Sequence, residues 1–192
     1  MGKSVSIMSS QELTVYMHSL WLALEEEEYI TMKSLQFNHH IPQILGTCGP
    51  IYGMEYSPPG PILSFRMSLL SSHKPWEERA IIALGLLDLI ESFADIGHVH
   101  KQLHLCDIKG ENFGIGRDGV IKAIDVDMAF VEHKLGDELG YSSCTQHKDC
   151  DFFDCWGWCD YKNNKCTRLR RNNNLQVIKL CSSPKSIASA LF

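Results

Sequence analysis

The sequence lacks long apolar runs and an excess of positive charge, and both absences narrow what the protein can be. The best apolar run, residues 80–87, is interrupted by Asp88 and is far too short to span a bilayer. The first ten residues contain no apolar segment of the kind that a secretory signal has. A net charge of −5 gives no electrostatic reason to expect nucleic-acid binding. We therefore expect no nucleic-acid partner and no transmembrane segment within this sequence.

The composition is that of an ordinary globular protein. Hydrophobic residues make up 44% of the chain and charged residues 21%, a balance that excludes the disordered and fibrous classes. A chain of 192 residues can bury one good core. One domain, or a small unit of two lobes, is therefore predicted.

Cysteine, in contrast, is abundant, and its spacing bears on the compartment in which the protein folds. The chain has 8 cysteines but no Cys-x2-Cys pair, the spacing that is typical of zinc modules. A disulfide framework is therefore favoured over a zinc site, and disulfides imply an oxidising compartment. Because no targeting signal is visible, we expect one upstream of Met1 in a longer product. Most of the cysteines fall in the last quarter of the chain: Cys144, Cys150, Cys155, Cys159, Cys166 and Cys181.

The segment that holds these cysteines, residues 144–192, is called the cysteine-rich cap below. Its pattern is rich in loop residues, with two phenylalanines and two tryptophans among the cysteines. We expect disulfides to hold it together in place of regular helices and strands.

Two segments have the periodicity of helices. Apolar residues recur at helical spacing through residues 11–37, which predicts one helix capped by Ser9 or Ser10. Residues 75–96 begin with proline and two glutamates, which is typical of a helix start. Apolar residues at helical spacing define the predicted buried sides, with Leu13, Met17, Leu20, Leu24, Met32 and Leu35 in the first helix and Ile82, Leu86, Leu89, Ile90 and Phe93 in the second.

Between the helices lie two short apolar runs. Residues 41–45 and 51–56 predict two strands joined by a tight loop. The proline-rich residues 58–61 cannot continue a strand, so they predict a boundary between lobes.

A glycine pattern, residues 114–119 with the sequence GIGRDG, admits two interpretations. It matches the dinucleotide fingerprint, but that site needs a following helix, whereas residues 120–124 are typical of a strand. Asp118-Gly119 instead predicts a two-residue type I′ hairpin turn. Counting outward from that turn places Asn112 directly opposite Asp125. Their side-chain oxygens would suit Mg²⁺ at the base of the hairpin.

The order Asp107-x-Lys109-x-x-Asn112, a hairpin and then Asp125 resembles the catalytic loop and the metal-binding aspartate of protein kinases. The resemblance implies that Asp107 accepts the proton of a substrate hydroxyl and that Lys109 steadies the transferring phosphoryl group. It also implies that Asn112 and Asp125 hold Mg²⁺. Residues 107–112 are called the site loop below.

Upstream segments occur in the order that this resemblance requires. Glu28 lies in a segment similar to the kinase αC helix, so the resemblance makes it the partner of a phosphate-binding lysine. Met54, Glu55 and Tyr56 resemble a hinge that presents backbone groups to the adenine of ATP. Residues 75–96 resemble helix αE.

Longer stretches of the sequence make the resemblance more specific. AIDVDMAF, the cysteine-rich stretch CTQHKDCDFFDCWGWCDYKNNKC and RNNNLQVI are similar to the divergent protein kinase domain 1 family. Its members are cysteine-rich, kinase-like, type II membrane proteins of the endoplasmic reticulum. The resemblance implies disulfides on the luminal side of that membrane and a membrane anchor upstream of Met1.

The chain also departs from ordinary kinases. Leu105-Cys106 stands where His-Arg usually precedes the catalytic aspartate, and Cys106 is interpreted as a small buried hydrophobe or as a partner of Cys48. Asp127 is interpreted as a second metal ligand or as a structural acid. No glycine loop precedes the αC-like segment, where Lys3 is the one lysine. We therefore expect a truncated form with little activity alone.

Together these patterns predict an α+β, protein-kinase-like fold with an incomplete N-lobe, a C-lobe and a disulfide-rich C-terminal cap. The predicted divisions are residues 1–57, 58–143 and 144–192. The expected function is ATP- and Mg²⁺-dependent phosphotransfer to a hydroxyl of an unidentified protein or glycan. A pseudokinase or binding scaffold is the alternative.

Overall fold

The structure is a computed structural model that describes residues 8–58, 75–96 and 102–181. Lys3 and residues 59–61, which carried predictions, lie outside these residues. The four strand pairs found within them, β1–β2, β3–β6, β4–β5 and β7–β8, are antiparallel, and with the helices they confirm the α+β class. The elements, in chain order, are α1 (Ser10–Leu24), α2 (Glu27–Ser34), β1 (Ile44–Cys48), β2 (Ile51–Met54), α3 (Trp76–Ala94), β3 (Leu103–Leu105), β4 (Phe113–Ile115), β5 (Ile121–Ala123), β6 (Ala129–Val131), α4 (Glu132–Leu139), β7 (Gly157–Asp160), β8 (Lys165–Arg170) and α5 (Asn174–Cys181).

The first predicted helix, residues 11–37, is in fact two helices. The break falls at Glu25 and Glu26, and Glu26 has an extended backbone. Four glutamates follow one another here, and an unbroken helix would place Glu25 and Glu28 one turn apart on the same face, where like charges repel. The prediction of one helix was therefore wrong, while the predicted cap at Ser9 is present.

The two helices differ in burial. Met17 and Leu24, which were predicted to be buried, are exposed, and Ala23 is the buried residue of α1. α2 contributes Tyr29 and Met32 to the interior. The helix that joins the core is thus the short one that carries Glu28.

The main core forms around α3. Its predicted buried side chains, Ile82, Leu86, Leu89 and Phe93, are all buried, and Ile90 is partly buried. They pack with Val177 and Ile178 of α5. They also pack with buried residues in or next to α2, β3, β4 and β5, namely Met32, Leu35, Leu103, Leu105, Phe113, Ile121 and Ala123. None of the helices in the described part of the chain is long and apolar enough to cross a membrane.

The hairpin β4–β5 exists, but its predicted register is wrong by one residue. Gly114 pairs with Lys122, and the chain reverses through a three-residue loop that ends at Gly119. Gly119 has φ +80°, whereas Asp118 lacks the positive φ that a type I′ turn needs, and its carboxylate instead accepts a hydrogen bond from Val120 N–H at 3.0 Å. A shift of one residue moves each side chain to the other face of a strand.

This hairpin is fixed to the residues that follow α2. Ala123 N–H donates to the carbonyl oxygen of His40 at 2.8 Å, and the Nδ1 atom of His40 lies 2.7 Å from the carbonyl oxygen of Ile121. Lys122 Nζ donates to the carbonyl oxygen of His39 at 3.0 Å. Burial lowers the pKa of His40 below its ordinary value. The hairpin is thus held by the core on one side and by this connection on the other.

The cysteine-rich cap takes part in three disulfides and, contrary to prediction, contains regular elements. Two bridges, Cys144–Cys159 and Cys150–Cys166, lie within the cap. Cys159 lies in β7 and Cys166 in β8, and these strands form an antiparallel pair, so the prediction of a segment without regular structure was wrong. β-Hairpin pairing satisfies backbone groups that the cysteines alone would leave unpaired.

The third disulfide joins Cys106 to Cys155, 49 residues apart in the sequence. The interpretation of Cys106 as an unpaired buried residue or as a partner of Cys48 was therefore wrong. Cys48 is an exposed free cysteine at the end of β1. The error is understandable because pairing between distant cysteines depends on the tertiary fold rather than on local pattern.

Candidate active site

The site loop begins where a buried strand ends. β3 is wholly buried and pairs with β6, and the chain continues through Cys106 into the site loop. A short 3-10 helix, Gly110–Asn112, then turns the chain into β4. Cys106 N–H donates to the carbonyl oxygen of Met128 at 2.9 Å, so the sheet register is continued up to the residue before Asp107. The loop therefore starts from a fixed point.

Within the loop, three predicted site residues meet at one carboxylate. Lys109 Nζ lies 2.6 Å from Asp107 Oδ2, and Asn112 Nδ2 donates to the same oxygen at 3.2 Å. Asn112 Nδ2 also donates to the carbonyl oxygen of Asp107 at 3.0 Å. The hydrogen bond from Lys109 raises its own pKa above the ordinary lysine value. Asp107 is thus held in one orientation by two donors.

Asp125 lies among other acids. It follows Ile124, whose N–H donates to the carbonyl oxygen of Asn112 at 2.9 Å, so Asn112 faces Ile124 rather than Asp125 across the chain. Burial, a hydrogen bond with Asp127 and the charges of Asp127 and Glu28 raise the pKa of Asp125 to about 6. The backbone register that the sequence predicted for Asn112 and Asp125 is therefore wrong.

Glu28 reaches this cluster from α2. The hydroxyl of Tyr52, on β2, donates to Glu28 Oε2. Burial and the Glu28 carboxylate both raise the pKa of Tyr52. Among the described residues Tyr52 is therefore the hydrogen-bond partner of Glu28, and Lys3, the lysine considered from the sequence, lies outside them.

The hinge-like residues lie against the hairpin β4–β5. Glu55 N–H donates to the carbonyl oxygen of Gln43 at 2.8 Å, and a Glu55 carboxylate oxygen lies 3.1 Å from the buried Nζ of Lys122. The Glu55 N–H is thus unavailable to an adenine. Tyr56 is 70% exposed. Sequence reasoning placed Lys122 on a strand and missed its ion pair with Glu55.

The glycine pattern at residues 114–119 has a packing role that the sequence did not reveal. A Cβ atom at Gly114 would lie 2.5 Å from the carbonyl oxygen of Ser57 and 2.9 Å from that of Pro58. The absence of a side chain is what allows the segment after β2 to lie on the hairpin. This close contact joins the segment after β2 to the hairpin β4–β5.

The cysteine-rich cap holds the site loop on both sides of Asp107. The disulfide to Cys155 fixes Cys106, and Asp154 N–H donates to the carbonyl oxygen of Cys106 at 2.8 Å. Asp154 Oδ2 accepts a hydrogen bond from Ile108 N–H at 2.7 Å. These contacts are made at Cys106 and Ile108, at and beside the position where protein kinases usually have His-Arg. In the sequence, Leu105-Cys106 in place of His-Arg indicated that this position differs from ordinary kinases. Nothing in the sequence indicated a role for Asp154.

A second group of cap residues supports β3. Asn174 Oδ1 accepts from Leu105 N–H at 3.0 Å, and Asn174 Nδ2 donates to the carbonyl oxygen of Leu103 at 2.9 Å. Arg170 Nη1 donates to Asn174 Oδ1 at 2.8 Å and lies 3.1 Å from His104 Nδ1. Burial and the Arg170 charge lower the pKa of His104 to about 4. The block RNNNLQVI is thus a support for the strand that leads into the site loop.

Comparison with protein families identifies the fold to which this site belongs. A family model described as the protein-kinase domain of FAM69 matches residues 20–186. The chain belongs to this family. The match includes the site loop, Asp125 and all three disulfides, and it confirms the divergent kinase-like interpretation of the sequence.

The FAM69 domain carries oxygen donors of the kind that Mg²⁺ requires. Because Asn112 Nδ2 faces Asp107, its Oδ1 atom is the one left for a cation. The carboxylates of Asp125 and Asp127 lie within hydrogen-bonding distance of each other, which is unfavourable for two negative charges without a proton or a cation. Amide and carboxylate oxygens are ligands that Mg²⁺ accepts. Asn112, Asp125 and Asp127 therefore carry the kinds of donor atom that the ion implied by the kinase fold takes as ligands.

Proposed function

We propose that this FAM69 domain transfers a phosphoryl group from ATP to a hydroxyl of a protein or glycan. The observation that carries the proposal is the arrangement of Asp107, Lys109 and Asn112, in which one carboxylate oxygen is held by both partners. Because Asp107 Oδ2 is occupied, Oδ1 is the oxygen that would accept the substrate proton. Family membership supports the same assignment.

Each residue would have one task in the transfer. Asp107 accepts the proton as the substrate oxygen bonds to the γ-phosphorus and the bond from that phosphorus to the bridging oxygen of ADP breaks. Lys109 neutralises charge on the phosphoryl oxygens. Asn112, Asp125 and Asp127 would hold Mg²⁺, which supplies charge neutralisation for the phosphates when bound. Positioning of this kind accounts for most of kinase catalysis.

A binding scaffold without phosphotransfer is the second candidate. It is favoured by the contact between Glu28 and Tyr52, because a kinase of the ordinary type pairs this glutamate with a lysine. In that case the site would still bind a nucleotide or a partner, but no phosphate would be transferred.

We further propose that the protein works in the lumen of the endoplasmic reticulum, at its membrane. The three disulfides support this because such bonds persist in oxidising compartments. The membrane anchor expected in a longer product stays a prediction.

Nucleotide binding gives the first test. Protein purified with its disulfides intact is titrated with ATP in the presence and absence of Mg²⁺, and the heat of binding is recorded. We expect saturable binding that requires Mg²⁺ and that the Asp125→Asn variant weakens at least tenfold, because a neutral amide is a poorer ligand for a hard cation. The same loss is expected with Asn112→Ala.

The matched control is Glu111→Gln, which removes an exposed carboxylate from the same loop. It is expected to bind as the unmodified protein does. ATP binding that is equally strong without Mg²⁺, or that Glu111→Gln weakens as much as Asp125→Asn, would contradict the assignment of the metal ligands.

A further inference from the structure

Away from the site loop, three potential metal ligands meet between the connection that follows α2 and the middle of α3. His39 Nε2 lies 3.7 Å from Asp88 Oδ2, and His40 Nε2 lies 3.3 Å from the same oxygen. One ligand atom of each residue lies within 4.8 Å of the others. Nothing in the phosphotransfer proposal uses these three side chains.

The tautomer of His40 is set by its surroundings. Its Nδ1 atom lies 2.7 Å from the carbonyl oxygen of Ile121, and a carbonyl oxygen can only accept, so the proton of the neutral ring is on Nδ1. The Nε2 atom then carries a lone pair and faces the Asp88 carboxylate. His40 is 1% exposed, and among the described residues its Nε2 atom has no hydrogen-bond partner.

Two electron-pair donors thus face each other at 3.3 Å, which is unfavourable unless something positive lies between them. Either a proton on Nε2, which would make an ion pair with Asp88, or a cation bound by both groups supplies that charge. A metal cation resolves the conflict without charging the ring, since Nε2 and the carboxylate oxygen both become its ligands.

We propose that His39, His40 and Asp88 form a binding site for Zn²⁺. Bonds of 2.0–2.1 Å in a tetrahedral site put ligand atoms about 3.4 Å apart, and the two separations measured to Asp88 Oδ2, 3.3 and 3.7 Å, lie close to that value. Two imidazoles and one carboxylate are a ligand set that zinc takes, with the fourth position left to water.

The environment supports a built site rather than a chance cluster. Histidine ligands of metals usually donate their other ring N–H to a carbonyl, as His40 does to Ile121. The backbone of His39 is held by the hydrogen bond from Lys122 Nζ. Asp88 and His39 are exposed enough, at 64% and 60%, to admit an ion from solvent.

Zinc at this position would join three parts of the domain: the connection after α2, α3 and, through the ring of His40, the hairpin β4–β5. Binding to the folded state alone must then raise the unfolding temperature as the zinc concentration rises. This effect is independent of nucleotide binding, so failure of either proposal leaves the other standing.

The test is a zinc titration of the full chain with its disulfides intact and its free thiols alkylated, so that Cys48 cannot compete. Zinc affinity is measured by competition with a chromophoric chelator. We expect one zinc ion per chain, and we expect Asp88→Asn and His39→Asn each to weaken binding at least tenfold. His133→Asn, which removes an exposed histidine of α4, is the matched control and is expected to have no effect.

A second measurement reads the ring of His40 directly. In ¹⁵N NMR spectra at pH 7.5 without metal, we expect the neutral tautomer with the proton on Nδ1, and added Zn²⁺ should shift the Nε2 resonance. A ring protonated on both nitrogens, zinc binding that is not saturable, or equal affinity of the Asp88→Asn variant and the unmodified protein would overturn the proposal.

Discussion

The hairpins β1–β2 and β4–β5 are the same kind of element in opposite environments. In the first, Leu45 and Ile51 are 76% and 72% exposed, and a Cβ atom added at Gly53 would meet no described atom within 4 Å. In the second, Phe113 and Ile121 are buried, and a Cβ atom at Gly114 would collide with the backbone at Ser57. One hairpin lies on the surface of the described structure, whereas the other is part of its core.

The difference shows where the site gets its rigidity. The site loop leads directly into the buried hairpin, and the cysteine-rich cap holds the loop from the other side through Cys155 and Asp154. The exposed hairpin contributes one hydrogen bond to the acidic residues near Asp125, and the hydroxyl of Tyr52 donates it to Glu28. Changes in the buried hairpin and the cap should therefore affect the site loop far more than equal changes in β1–β2.

Removal of the Cys106–Cys155 disulfide should have the largest effect. The bridge spans 49 residues, whereas Cys144–Cys159 spans 15, and a longer loop gains more from being closed. The double variant Cys106→Ala/Cys155→Ala should lose about 2–5 kcal/mol of unfolding free energy in urea, about 1 kcal/mol more than Cys144→Ala/Cys159→Ala.

Amide exchange locates that effect. The Ile108 amide should exchange faster when the Cys106–Cys155 bridge is removed and should stay protected when Cys144–Cys159 is removed. Equal loss of protection in both variants would show that the cap acts on global stability and does not hold the loop specifically.

Alanine at two glycines tests the comparison of the hairpins directly. Gly114→Ala should destabilise the protein by about 1–3 kcal/mol because the new methyl group overlaps the carbonyl oxygens of Ser57 and Pro58. Gly53→Ala has open space among the described atoms and should be neutral or stabilising by about 0.5 kcal/mol. Denaturation midpoints measure both, and a destabilised Gly53→Ala would refute the contrast.

Asp154→Ala should disturb the site loop with a smaller loss of stability. It removes the hydrogen bond that Ile108 N–H donates to Asp154 Oδ2, which costs about 1–2 kcal/mol. Asp154 is a positioning residue, so phosphotransfer should fall while ATP affinity changes little. Asp154→Asn keeps an acceptor oxygen and should restore most of the loss. No recovery with asparagine would assign the effect to charge.

A dependence of stability on pH should arise at His104 and appear only below neutral pH. The unfolded ring binds a proton near pH 6.5, but the folded ring does so only near pH 4. Between these values the unfolded state is protonated and favoured, so the contribution is complete above pH 6.5 and is lost as the pH falls toward 4. In urea unfolding, the His104→Gln variant should lose less stability over this range than the unmodified protein does. Identical curves would contradict this origin.

The sequence predicted what local pattern controls. The helical spacing of Ile82, Leu86 and Leu89 correctly gave the buried side of α3, and the residue order of the site loop correctly indicated the kinase family. The hairpin register was wrong because Asp118 adopts the turn that its own side-chain hydrogen bond stabilises. The type of turn decides the register of a hairpin, and the sequence alone allows several types here.

Distant contacts were the other source of error. The partner of Cys106 lies 49 residues away, and the contacts of Asp154 and Asn174 with the strand and loop exist only in the folded chain. Gly114 was assigned to a hairpin without any indication that Ser57 would lie against it. The sequence could not reveal which residues join segments that lie far apart in the chain. It was more informative about residues that form helices and strands.

The most direct test of the central claim is transfer of the γ-phosphoryl group of ATP by the protein with its disulfides intact. Radiolabelled ATP and Mg²⁺ are supplied with a mixture of secretory-pathway proteins and glycans, and incorporated phosphate is counted. Asp107→Asn should reduce transfer at least 100-fold, because the amide cannot accept the substrate proton, while Glu111→Gln should leave it unchanged. Transfer that survives Asp107→Asn would contradict the account, and ATP binding without any transfer would identify a scaffold.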